Sequence, residues 1–145
     1  MLPLSAETGR VDLRQVWLSA WRKDRERLPM TSLEAMLADV MRLHPEYHDL
    51  LDNPDALARD WTPEGGQANP FLHMGLHVAL REGVVADRPP GLRELYNGLR
   101  RSQDLHAVDH LLMDCLAETL WEAERAGLPP DEAAFLARAR RVTDR

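Results

Sequence analysis

The chain has 145 residues, a single cysteine and a formal net charge of −6, with 44% apolar and 29% charged side chains, which suits one domain able to bury a core without disulfides. The lone Cys115 excludes an intramolecular bridge and fits a reducing compartment. The basic residues are scattered and almost all arginine, which excludes a phosphate-neutralising stripe for nucleic acid, and no apolar run reaches membrane-spanning length.

These numbers predict one domain over residues 1–145, soluble and cytoplasmic, since "MLPLSAETGRVDL" lacks the basic and apolar regions of a secretory leader. Glycine and proline separate segments whose apolar residues recur at helical spacing, with no alternating strand pattern of useful length. An all-α fold follows. Val11 to Glu26 forms a first helix with Leu13, Val16, Trp17, Ala20 and Trp21 on its buried side. Thr31 or Ser32 caps a second, running through Leu33, Met36, Leu37, Val40 and Met41 towards Leu43, with Glu34 among the residues read as solvated or capping charges. Pro45 forces His44 out of the α region and starts a new turn in "PEYHDLLD".

"NPDALARDW" is a further short helical piece, and the loop "TPEGGQANP" delivers Asn69 as a cap with Pro70 at the first helical position. From there an almost wholly apolar helix runs to about Glu82 and ends at Gly83. "DRPPG" is a turn, followed by helices over Leu92 to Arg101, Asp104 to about Arg125, and roughly Asp131 to Arg140. Their natural packing is a single-domain helical bundle. Trp17, Trp21, Trp61 and Trp121 are read as core or half-buried packing residues.

All six histidines fall into three pairs four residues apart: His44 and His48 in "HPEYH", His73 and His77 in "HMGLH", His106 and His110 in "HAVDH". Random placement would do this on the order of once in ten thousand sequences. Residues four apart share one face of a helix, roughly 6 Å from each other, so each pair can reach a common metal ion. The glutamate of the HExxH zinc motif is absent, and with it the zincin protease reading. On the helix from Asp104 a narrow strip of His106, His110, Asp109 and Asp114 interrupts a largely apolar surface, which predicts that the histidines face the interior. Asp109 or Asp114 would bridge metals or accept a hydrogen bond from an imidazole. Pro45 makes His48 the safer ligand of the first pair.

Six imidazoles exceed what one tetrahedral ion uses, so the count predicts two transition-metal ions, iron ahead of zinc or manganese. No glutamate stands three residues before any histidine, which sets the chain apart from carboxylate-rich di-iron bundles. Haem is disfavoured, because two histidines on one helix face cannot clamp it from opposite sides and CxxCH is missing.

"HPEYH", "NPFLHMGLH", "DRPPGLRELY" and "DHLLMDCLAETLW" together resemble the bacterial family called domain of unknown function 1841, over nearly the whole chain. That resemblance implies an architecture and no activity. A likeness to hemerythrins is one of ligand chemistry alone; they combine HxxxH with HxxxE, which no histidine here shows. The reading of the residues is a histidine-rich, dinuclear iron centre that binds, senses or reduces dioxygen or a related small oxidant. Its competitors are a metal-dependent hydrolase that activates water and a structural or interaction module whose metal cross-links helices. Oligomeric state is not legible.

Overall fold

The computed structural model describes residues 7–53, 55 and 69–144. Every regular element among them is helical: α1 (Glu7–Arg25), α2 (Ser32–Arg42), a 3-10 turn (Pro45–Tyr47), α3 (His48–Leu51), α4 (Pro70–Ala86), α5 (Leu92–Leu99), α6 (Leu105–Ala126) and α7 (Glu132–Thr143). The all-α expectation is met. The helical piece and loop read from residues 53–68, with Trp61, lie outside the described residues apart from Asn53 and Asp55. The chain forms two compact units, Met1–Gly75 and Leu76–Arg145. No described helix is long and apolar enough to cross a membrane.

In the first unit α1 and α2 bury Trp17, Ala20 and Trp21 with Leu37, Ala38, Val40 and Met41. The face predicted for α1 needs correction, since Val16 is 41% exposed and Arg14 is buried. The guanidinium of Arg14 lies 5.1 Å from the centre of the Phe71 ring, so its stem packs as an apolar group while its charge meets a π face. Thr31 caps α2 in a capping box: its hydroxyl accepts from the Glu34 amide at 3.1 Å, and the Glu34 carboxylate accepts from the Thr31 amide at 2.9 Å. Asn69 caps α4 as expected, its Oδ1 accepting from the Phe71 amide at 2.9 Å, with Pro70 opening the helix.

The helix opened by Pro70 continues through Gly83 to Ala86. It is not buried all round, because Leu72 and Val85 are exposed. Gly83 is needed for close approach: a Cβ there would stand 2.9 Å from the Arg88 carbonyl oxygen. The helix closes with Asp87 in the left-handed region and the Arg88 amide donating to the Gly83 carbonyl at 2.8 Å, a Schellman arrangement. Asp87 then turns its carboxylate to the amides of Gly91 (3.1 Å) and Arg93 (3.0 Å), so one residue ends α4 and starts α5.

In the second unit the core is one cluster of Leu80, Leu92, Tyr96, Leu99, Val108, Leu112, Met113, Cys115, Phe135 and Ala139. Asp104 and Asp131 cap α6 and α7 through the amides of Ala107 (3.2 Å) and Ala134 (3.0 Å). Arg138 of α7 donates to the Thr119 hydroxyl at 2.8 Å and to the Glu122 carboxylate, tying α7 to α6. Trp121 is 56% exposed, against the expectation of a packing residue; the Arg125 guanidinium covers its ring at 4.6 Å.

Candidate functional site

Within the first unit His44 sits where Pro45 breaks the helical run, with φ −125° and ψ 70°. That backbone turn sends its ring inward, where it is 1% exposed. Its Nδ1 lies 2.9 Å from the Val40 carbonyl, and a carbonyl only accepts, so Nδ1 carries the proton. Neutral His44 therefore has its lone pair on Nε2, which lies 3.1 Å from Nε2 of His73. His73 either donates a proton to that lone pair or, protonated on Nδ1 instead, turns a second lone pair towards the same point. Tyr47 stacks on His44 with ring centres 5.3 Å apart and nearly parallel. Burial, and then the Glu46 carboxylate, push the Tyr47 phenol above its usual range.

His48 behaves differently. Its Nε2 donates to the Met41 carbonyl at 2.9 Å, and its ring packs on Trp21 at 4.5 Å. The ordering expected within the first pair is thus reversed in geometry, with His44 rather than His48 turned to another imidazole. Pro45 is the reason in both directions, since it ends α2 and so frees the two rings from a common face.

Within the second unit the centre is Asp109, fully buried on α6. Its Oδ1 accepts from the Tyr96 hydroxyl at 2.6 Å. Its Oδ2 accepts from His77 Nε2 at 3.0 Å and from the Arg81 guanidinium at 3.4 Å. Burial works to raise the Asp109 pKa, but the hydrogen bonds from His77 and Tyr96, with the charges of His77 and Arg81, outweigh it and hold the carboxyl below its usual range. Burial and the bond to that carboxylate push the Tyr96 phenol far up. His77 is itself fully buried, and the rings of His110 and His106 stand 5.6 Å and 5.8 Å from it, centre to centre. His106 and His110 lie 4.1 Å apart, as the spacing on α6 requires.

The structure gathers His77, His106, His110 and Asp109 in one unit, and His44 with His73 in the other. α4 carries His73 and His77 one turn apart. Asp114 is exposed on α6, on a different face from buried Asp109. Residues five apart on a helix are rotated by well over a quarter turn, so the two aspartates could not share one strip. Sequence reading missed Tyr96, Arg81 and Tyr47. Arg81 stands four residues beyond His77 on α4, a spacing that could have flagged it; Tyr96 reads only as one more core residue between Leu92 and Leu99.

Fold and site together define an all-helical protein with imidazoles held by buried backbone and carboxylate acceptors. The chain belongs to the family described as domain of unknown function (DUF1841), whose model matches residues 9–141. No curated protein and no solved structure matches the chain.

Proposed function

We propose that the chain binds transition metal through imidazole nitrogens, those of His44 and His73 in the first unit and those of His77 and His110 in the second. The observation that carries this reading is the 3.1 Å approach of the two Nε2 atoms of His44 and His73, with the other nitrogen of His44 committed to the Val40 carbonyl. Metal–nitrogen bonds of about 2.0–2.1 Å at a tetrahedral angle hold ligand nitrogens roughly 3.3 Å apart, close to that approach. A plain N–H···N bond fits the distance as well, and metal content separates the two.

Among the described residues His48 is engaged by the Met41 carbonyl, Asp109 by three donors, and Asp114 is exposed, so these three are not counted as ligands. Imidazole suits iron, zinc, copper and nickel alike. We take iron, because a neutral nitrogen set favours the ferrous ion, and the proposed activity is binding or reduction of dioxygen or a related small oxidant in the cytoplasm. The test is elemental analysis of protein purified without a metal-binding tag, followed by anaerobic reduction and oxygen titration. Tightly bound iron and an oxygen-dependent absorption change support the reading. Native zinc at full occupancy ends the oxidant activity, and metal that dialyses away with unchanged melting ends the metal site.

A further inference from the structure

We infer that Asp109, held in place by Tyr96, is a positioning residue that fixes His77 as its Nε2-protonated tautomer and so makes Nδ1 the ligand nitrogen. This rests on the metal reading above. Asp109 is the obvious oxygen ligand in the second unit, yet both of its oxygens already face donors. The Arg81 guanidinium at 3.4 Å from Oδ2 opposes the approach of a cation to that oxygen. The carboxylate therefore acts through the imidazole. An ionised carboxylate only accepts, so the nitrogen of His77 facing it carries the proton, and the lone pair of the neutral ring sits on Nδ1. A carboxylate on the far nitrogen also makes the near one a better electron donor to a metal.

Tyr96 supplies the orientation. Its ring is part of the core cluster with Leu80, Leu92, Leu112 and Phe135, which leaves the hydroxyl one direction to point. The 2.6 Å bond to Oδ1 then holds the carboxylate plane so that Oδ2 meets His77. Arg81 is partly exposed and more distant, and contributes charge rather than direction.

The experiment uses the full chain with nitrogen-15-labelled histidine and zinc(II) as a redox-silent probe. In the metal-free protein, long-range proton–nitrogen correlations should show His77 protonated on Nε2. Zinc affinity, measured against a competing chelator, should fall about 10-fold in Asp109→Asn, whose side-chain oxygen still accepts from His77 while its amide turns to the Tyr96 oxygen. It should fall about 100-fold in Asp109→Ala, where nothing selects the tautomer. Tyr96→Phe keeps the packing and the bond from His77 to Asp109, and should retain the Nε2-protonated tautomer with a loss of zinc affinity smaller than that of Asp109→Ala, so the inference stays testable if the alanine variant does not fold. An Nδ1-protonated His77 in the wild type overturns the inference. So does wild-type zinc affinity in both Asp109 variants, which leaves the metal reading intact. The expected tautomer with no zinc uptake by the wild type overturns the metal reading, and with it the ligand role of Nδ1.

Discussion

Replacing Tyr96 by Phe removes one oxygen and leaves a buried carboxylate with two donors instead of three. The ring stays, at 5% exposure in the core cluster, so no cavity forms and the measured cost is that of the hydrogen bond. The bond is short at 2.6 Å, its acceptor is ionised, and its acceptor residue is fully buried. Charge-assisted bonds of this kind contribute about 1.5–3 kcal/mol net, and the other oxygen keeps His77 and Arg81, so a loss of about 2 kcal/mol is expected. With a urea slope of about 2 kcal/mol/M the midpoint should fall by about 1 M, and the melting temperature by roughly 8 °C. The assay is urea unfolding followed by circular dichroism at neutral pH with chelator present, so that metal linkage does not enter. A second series in the Asp109→Asn background completes a double-mutant cycle, in which the tyrosine should be worth much less. A loss below about 0.5 kcal/mol in the wild-type background would refute the reasoning, because it would mean that the hydroxyl does not serve a charged buried acceptor.

Two glycines of α4 should respond to the same change with opposite sign. Gly75→Ala meets nothing within 4 Å and should stabilise by about 0.5–1 kcal/mol, whereas Gly83→Ala drives a methyl against the Arg88 carbonyl and should destabilise by about 1–3 kcal/mol; thermal unfolding of both variants checks it. His44→Ala should lose more bound metal than His48→Ala, read by elemental analysis, since only His44 turns a ring nitrogen to His73. The hydrogen bonds from Arg42 hold the Asp24 carboxyl below its ordinary 3.8, with burial opposing and charge assisting. A lowered folded pKa adds stability above the unfolded value, so the cost of Arg42→Ala should be present at neutral pH and fade as the pH drops below 3.8 through the folded value. Solvent screening keeps that cost below about 1 kcal/mol, and urea unfolding at neutral and acid pH measures it.

Much of this molecule is local in origin and was legible in the order of its residues. Thr31, Asn69, Asp104 and Asp131 each cap the helix that follows, because a short side-chain oxygen meets the amides two or three positions on whatever the rest of the chain does. Pro45 ends α2 for an equally local reason, the clash of its ring with the preceding residue. The pairing of the histidines is also a fact of spacing. Which of them would matter was not. Whether His44 or His48 turns to His73 depends on the backbone angles that Pro45 permits and on where the Met41 carbonyl and the Trp21 ring stand. Whether Asp109 or Asp114 is buried depends on which side of α6 meets Tyr96, 13 positions earlier in the chain, and His77, 32 positions earlier. Arg14 buried and Trp121 exposed follow the same rule, since helical spacing tells which residues share a face, while the direction of that face is decided by packing partners distant in sequence.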